Sequence, residues 1–426
     1  MLIARFSPAT AADRRRCRCH LHAGQAAVVL LIGLLGVLGA CVPEQQAAAP
    51  PAAQTPPPPP PILPFNEAVA SAAERVFSAA ATARGDSSAN SPVVIDPLVD
   101  GVTGQESRAT QTIQERITRL VKERYPQFVI EPFSAESVNS APLVLVGTFT
   151  PVNAEMKTAG TREAYRFCLV LGDLKTGKIV AKAVARSELS GVDGTPLPVF
   201  AESPAWSPDR ASQGYINTCQ TTKVGDPISK DYLDGILTAA LISRAIDAYD
   251  SGHYAEALDF YKDAAQTPAG DQLRVYNGLY LSNFKLGRRE AAADAFARLV
   301  GYGFKTKRLA VKILFNPGST VLARGGEFSG QYGLWLTQIA RQAAESPVCV
   351  DVRGHTSATG APALNERLSL LRAQYVKSRL DADAPQIRNR TVAEGLGSSE
   401  TMIGTGRDDA SDALDRRVEF NLKSSC

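Results

Sequence analysis

The chain has 426 residues, of which 46 are lysine or arginine and 43 are aspartate or glutamate, giving a formal charge of +3. Five arginines and one aspartate among the first 40 residues account for +4 of this charge, so the remaining 386 residues carry about −1. This balance lacks the basic excess of proteins that bind nucleic acid or anionic lipid surfaces, and we predict neither activity. Hydrophobic residues at 44% and aromatic residues at 7% indicate globular material, long enough for two or three domains.

The first 40 residues predict an export signal. Arginines precede an uncharged run at 26–40, whose 15 residues are fewer than a membrane span needs but suit a signal-peptide core. The run ends in Leu-Gly-Ala-Cys at 38–41, which resembles the lipobox of bacterial lipoproteins. The resemblance implies cleavage before Cys41 and attachment of lipid, palmitate included, to its thiol. Val42 replaces the aspartate that, by the same resemblance, retains lipoproteins in the inner membrane, so we expect anchoring in the outer membrane, facing the periplasm. The alternative is an ordinary signal peptide with a chance cysteine.

A proline-rich linker at 41–64 follows the predicted cleavage site. Its prolines lie at 43, 50, 51, 56–61 and 64, and consecutive prolines favour an extended polyproline helix. At about 3.1 Å per residue the segment could reach roughly 70 Å. We predict a spacer that holds the folded part away from the membrane, with a polyproline ligand for a partner as the alternative.

Residues 65–226 alternate helical and strand patterns and predict an α/β domain. Helical spacing marks Asn66–Arg84 and a segment that ends before Pro126, while strand patterns lie at 91–98, 127–132 and 143–149. A turn at 173–178 separates two β-rich runs and predicts a hairpin. The phrases VVIDPLVDGVTGQES, VLVGTF and DLKTGKIVAKA resemble the FlgO and penicillin-binding-protein-activator class of envelope lipoproteins. This resemblance implies an accessory domain that binds a protein partner.

Residues 227–306 predict helical repeats. Gly252, Tyr254, Ala257 and Tyr261 recur 35 residues later as Gly287, Arg289, Ala292 and Phe296, a pattern that resembles tetratricopeptide repeats. Two repeats are too few for an independent array, so we expect them to pack on a neighbouring domain. They could form a peptide-binding groove or serve as a helical connector.

Residues 307–426 predict the order strand, helix, strand, helix, strand, strand. The strands are expected at 310–315, 348–354, 391–395 and 417–422, and the helices near 327–344 and 364–380. Leu364, Leu368, Leu371 and Tyr375 recur at helical spacing and predict the buried face of the second helix.

Three motifs in this region resemble the OmpA-like peptidoglycan-binding domain. They are RGHTSATG at 353–360, NERLSLLRA at 365–373 and DRRVEF at 415–420. The resemblance implies helices packed on a mixed sheet and a site for the diaminopimelate side chain of the peptidoglycan stem peptide, with Arg372 binding its carboxylate as a bidentate fork. By the same resemblance, the other site residues are Thr356, Ser357, Asn365, Leu368, Arg416 and Asn316.

This sequence departs from the family pattern at two acidic positions. Ser357 replaces the aspartate that receives the ligand ammonium, and Asn316 replaces an acid that often follows the first strand. A neutral acceptor gives a weaker hydrogen bond than a carboxylate does. The first hypothesis is therefore an outer-membrane lipoprotein that tethers the envelope to peptidoglycan. The second is a periplasmic adaptor that binds an envelope protein through residues 65–306, with a degenerate cell-wall site.

The remaining cysteines and histidines argue against catalysis. The domain division favours the disulfides Cys168–Cys219 and Cys349–Cys426, although sequence alone leaves three connectivities, and free thiols, open. Beyond residue 40 the histidines are His253 and His355, too few and too far apart for a zinc site, and no GxSxG elbow is present. We predict no enzyme activity, no metal and no cofactor in a multidomain α/β protein.

Overall fold

A computed structural model describes residues 58–84, 90–205, 208–323, 330–408 and 411–426. The predicted signal peptide, Cys41 and the linker up to residue 57 lie outside these ranges. Within them, we find no helix with both the length and the apolar composition needed to cross a membrane.

Six strands form the first sheet, and most of them were marked by apolar runs. They are β1 (Ile62–Leu63), β2 (Ser91–Ile95), β3 (Phe128–Glu131), β4 (Leu143–Val152), β5 (Ala164–Asp173) and β6 (Lys178–Ser187). Their order is β1-β6-β5-β4-β2-β3, with β4, β5 and β6 antiparallel and the other pairs parallel. Every residue of β4 is buried, as expected for a strand that is covered on both faces.

Helices cover both faces of this sheet. On one face lie α1 (Phe65–Arg84) and α2 (Arg108–Arg124), whose small and branched apolar residues form one core with the strands. On the other lie α3 (Ala135–Ser140), α5 (Arg210–Gln220) and the first half of α6 (Lys230–Asp250). A short helix, α4 (Pro198–Ala201), precedes α5.

The predicted repeats form four helices. They are α6, α7 (Tyr254–Gln266), α8 (Leu273–Lys285) and α9 (Arg289–Thr306). Gly252 and Gly287 adopt positive φ of 80° and 72° just before α7 and α9, so the 35-residue spacing marks equivalent turns. In α8, a Cβ on Gly278 would lie 2.1 Å from the ring of Tyr261, so glycine is needed for α7 and α8 to pack closely.

The C-terminal region has the predicted order of elements. Four strands, β7 (Ile313–Leu314), β8 (Cys349–Gly354), β9 (Thr391–Gly395) and β10 (Arg417–Lys423), pair in the order β7-β10-β8-β9. The pairs of β10 are antiparallel and β8 runs parallel to β9, which makes the sheet mixed. Helices α10 (Tyr332–Glu345) and α11 (Pro362–Asp383) pack on it. The prediction of a mixed α/β protein is confirmed.

The described residues form one compact unit. Helix α6 contributes Tyr232 and Ile236 to the core beneath the first sheet, and Ile242 and Tyr249 to a core that continues through α7–α9 into the C-terminal sheet. The helices therefore pack on the C-terminal region, as their small number predicted. The boundaries at 226 and 306 remain predictions.

Two covalent links and one edge strand complete the fold. Cys168 in β5 is bonded to Cys219 in α5, and Cys349 in β8 to Cys426, so both favoured pairings are formed. Their Cα atoms are 6.0 and 5.4 Å apart, ordinary separations for disulfides. Ile62–Leu63, which the proline-rich pattern places in the linker, pair with β6, so the folded part begins before residue 65.

The predicted buried face of α11 is wrong. Leu364 and Leu371 are 68% and 45% exposed. The buried face consists of Asn365, Ser369, Arg372, Ala373, Val376 and Leu380. At Ser369 the helix lies so close to Gly354 of β8 that only a small residue fits there, and Leu364 and Leu371 are turned outward.

Candidate functional site

An open cleft of about 650 Å³ lies between the start of α11, the loop after β8 and the loop before β10. This volume suits a small ligand or one residue of a peptide. Six of the seven residues predicted from the motifs line it, namely Thr356, Ser357, Asn365, Leu368, Arg372 and Arg416. The seventh, Asn316, lies behind the wall, where its backbone carbonyl accepts a hydrogen bond from Arg372.

Close packing of α11 on the sheet places these residues together. A Cβ on Gly354, at the end of β8, would lie 1.9 Å from the carbonyl oxygen of Ser369. Glycine at 354 therefore lets the helix approach the strand. Ser369 Oγ accepts from the Gly397 N–H at 2.9 Å, which ties the loop after β9 to the same turn of the helix.

Arg372 is a fully buried clamp between loops. Its Nε, Nη1 and Nη2 donate to the carbonyls of Ser319, His355 and Asn316 at 2.9, 2.8 and 3.0 Å. Burial and, to a smaller extent, the nearby charge of Arg416 lower the pKa of Arg372 to about 10, so the side chain stays charged at neutral pH. Three of its five N–H groups are committed, so at most two remain for a ligand. The sequence suggested a free fork, and the structure shows a side chain that joins the walls of the cleft.

Two buried carboxylates shape the loop before β10. Asp415 accepts from the backbone N–H groups of Met402, Ile403 and Gly404 at 2.6–2.9 Å. Asp412 accepts from the N–H groups of Thr405 and Asp408 at 3.2 and 3.0 Å, and from the Thr405 hydroxyl. Both acids are fully buried. Their acceptor atoms organise a loop that has little apolar content of its own.

The loop brings an acid into the cleft that sequence reasoning missed. Asp408 lines the cleft and accepts from Arg416 Nη1 at 2.5 Å through Oδ1. Its backbone is left-handed with φ 55°, a conformation that aspartate tolerates better than most residues. The segment RDDASDALDRR offered a signal in its density of acids. Four aspartates in eight residues do not reveal which are buried to hold the loop and which lines the cleft.

Two buried polar atoms beside the cleft have no hydrogen-bond partner in the described structure: Thr356 Oγ1 and Arg416 Nε. Thr356 is 3% exposed and Arg416 is 6% exposed. Native proteins leave few buried polar groups unpaired, so such atoms are candidates to bind a ligand. With Leu364, Leu368 and Leu371 along α11, the cleft offers an apolar wall and paired charges of both signs.

A charged cluster lies beneath the cleft. Glu419 in β10 accepts from Lys312 Nζ at 2.6 Å and from Arg417 Nε at 2.8 Å, and its Oε1 is 3.4 Å from His355 Nε2. Burial lowers the pKa of His355 to about 4, so the ring is neutral at pH 7. Ligand atoms of His355, Glu400 and Glu419 lie within 4.8 Å of one another. Because Lys312 and Arg417 already neutralise Glu419, the cluster is better suited to holding β10 than to binding a cation.

Two acids, the buried Asp96 and the half-buried Glu106, lie between the first sheet and α6. Asp96 accepts from the Tyr232 hydroxyl at 2.8 Å, and burial raises its pKa to about 7. Burial and nearby acids raise the pKa of Glu106 to about 8. The enclosed space beside Asp96 is only about 20 Å³, enough for a water molecule but not for a ligand. Glu106 also borders an open groove of about 880 Å³ between α2 and α6.

No protein-family model and no curated protein match this sequence. Among solved structures, the peptidoglycan-associated lipoprotein of Burkholderia pseudomallei is 24% identical, with coverage of 27% of this chain and 92% of that chain, at a TM-score of 0.24. The periplasmic domain of Helicobacter pylori MotB is 20% identical, with coverage of 27% and 74%, at a TM-score of 0.22. Escherichia coli LpoB is 16% identical, with coverage of 43% and 95%, at a TM-score of 0.20. With TM-scores this low, none of these similarities assigns a function to this chain.

Proposed function

We propose that this protein is a non-catalytic envelope lipoprotein that binds the stem peptide of peptidoglycan in the cleft beside α11. The observation that carries the proposal is the convergence of three separate motifs on one cleft, which Thr356, Asn365 and Arg416 all line. Residues separated by about 60 positions in the sequence meet there, together with two unpaired buried polar atoms.

The chemistry of the cleft suits one part of the stem peptide. A diaminopimelate side chain ends in an ammonium and a carboxylate, joined to the backbone by an aliphatic chain. Asp408 and Arg416 supply the opposite charges, and Leu364 and Leu368 supply the apolar wall. Charge-assisted hydrogen bonds contribute about 1.5–3 kcal/mol each, so such a pair gives useful affinity to a small ligand.

The anchor is the second half of the proposal. The lipobox-like residues at 38–41 and the proline-rich linker support attachment through Cys41 to the outer membrane. The chain would then connect membrane and cell wall, with the linker spanning the gap between them. Labelling with a palmitate analogue tests this half, because Cys41→Ser should abolish incorporation.

Co-sedimentation of the full chain in detergent with purified sacculi tests the binding. Arg416→Gln removes the guanidinium from the cleft and should weaken retention at least tenfold. Arg353→Gln is the matched control, because Arg353 is half-buried, pairs with Glu394 and lies outside the cleft. If the wild type and the Arg416 variant partition alike, the tether proposal fails and a protein-binding adaptor becomes the better explanation.

A further inference from the structure

The acidic residue of the cleft, Asp408, lies in the loop before β10. The family motif would instead place an acid at position 357, in the loop after β8. Ser357 is neutral and 5% exposed, and its hydroxyl lies 3.1 Å from that of Thr359, with which it shares a hydrogen bond. Among the described residues that line the cleft, Asp408 is the acidic one. A cationic ligand group that enters the cleft therefore meets Asp408.

Three arginines line the cleft. Arg367 is exposed to solvent, and the two buried ones, Arg372 and Arg416, differ in what they have left to donate. Arg372 gives three N–H groups to backbone carbonyls. Arg416 gives Nη1 to Asp408, and its buried Nε has no partner in the part of the chain that the structure describes. Nε and Nη2 form one edge of a guanidinium, the edge that binds a carboxylate in the bidentate manner. Arg416 therefore has the better edge for an incoming carboxylate.

The ion pair is held in place before any ligand arrives. Asp412 accepts from the backbone N–H of Asp408 at 3.0 Å, and Asp415 directly precedes Arg416 while accepting three N–H groups of the same loop. A pair positioned in this way loses little conformational entropy when it binds.

We propose that the Asp408–Arg416 ion pair recognises an ammonium and a carboxylate carried on one carbon, the free α-amino-acid end of a diaminopimelate side chain. The ligand ammonium binds the Asp408 carboxylate, and the ligand carboxylate binds the Nε edge of Arg416. Two opposite charges in contact complement a ligand in which both charges sit on one carbon. Arg372 then acts as a positioning residue, because its hydrogen bonds hold the loops that form the walls of the cleft. The inference rests on the proposed function and names the residues that bind the ligand.

The test uses the full chain in detergent and calorimetric titration with three soluble tripeptides. The first ends in diaminopimelate, the second carries the same residue with its side-chain amine acetylated, and the third has lysine, which lacks the carboxylate. Asp408→Asn should weaken binding of the first peptide at least tenfold. Binding of the second peptide should be unchanged, because its acetylated side chain has no ammonium to contact Asp408. Glu366→Gln, an exposed acid of α11 outside the cleft, should leave all three affinities unchanged.

A second variant separates recognition from folding. Arg416→Lys keeps the charge but loses the planar guanidinium that binds a carboxylate through two hydrogen bonds. It should therefore weaken binding of the two diaminopimelate peptides and leave binding of the lysine peptide unchanged. Equal weakening of all three by either variant would show a structural role and overturn the inference, as would no effect of Asp408→Asn. If the wild type binds none of the peptides and no sacculi, the proposed function itself fails. A wild type that binds sacculi and diaminopimelate peptide, with an unaffected Asp408 variant, overturns only the assignment of the pair.

Discussion

Replacing Arg372 with alanine should destabilise the C-terminal region. The change removes three hydrogen bonds to backbone carbonyls, of which the bond to His355 is buried and the bonds to Ser319 and Asn316 are partly buried. A hydrogen bond to a charged donor contributes about 1.5–3 kcal/mol, and water can replace part of that at the two partly buried carbonyls. We expect a loss of about 4 kcal/mol, since the vacated space adds a cavity penalty.

Urea unfolding followed by circular dichroism, with the disulfides intact, measures this loss by linear extrapolation. Arg379→Ala is the control, because Arg379 is exposed on the same helix and should cost less than about 0.5 kcal/mol. A loss below about 1 kcal/mol for Arg372→Ala would refute the claim that the hydrogen bonds of Arg372 stabilise the C-terminal region. Because Arg372→Ala should destabilise the C-terminal region, reduced sacculus binding by this variant would not by itself identify a ligand contact.

Three further changes test other parts of the fold. Burial raises the pKa of Asp96 from 3.8 to about 7, so the stability of the wild type falls as pH rises from about 4 to about 7. Asp96→Asn should therefore gain about 3 kcal/mol relative to the wild type between pH 5 and pH 7 in urea unfolding, with little further gain up to pH 9. A difference that stays constant from pH 5 to pH 7 would contradict this. Gly278→Ala should lower stability by about 1–3 kcal/mol through its clash with Tyr261, whereas Gly301→Ala, whose Cβ meets nothing closer than 3.6 Å, should be neutral or stabilising in thermal melts. Cys426→Ser removes the disulfide to Cys349, which lies 77 positions away, and should lower the free energy of unfolding by about 4 kcal/mol. An unchanged urea midpoint would show that this disulfide does not stabilise the fold.

Local patterns were enough to predict the order and type of most elements. Helices α1, α2 and α11 and strands β4, β8 and β9 lie close to their predicted positions, because apolar periodicity and turn residues are properties of short segments. Cysteine pairing followed once the segments had been grouped into domains. The motifs also indicated six residues that share a cleft, although they could not give the contacts of those residues.

Other features depend on which surfaces meet. The face of α11 that is buried is the one on which Ser369 meets Gly354, where only a small residue fits. Hydrophobic spacing alone favoured the leucines, and these lie at the cleft. Likewise, no local pattern indicates that α6 contributes to two cores, because its neighbours are distant in the sequence.

The charges of the cleft show the same division. The sequence by itself determined that Arg372, Arg416 and a neutral Ser357 belong to one motif set, and that acids are abundant before β10. Only the tertiary structure decided that Arg372 is committed to carbonyls, that Asp412 and Asp415 hold the loop, and that Asp408 faces the cleft. The physical reason is that the role of a charged side chain depends on its burial and its partners, which come from residues far away in the chain.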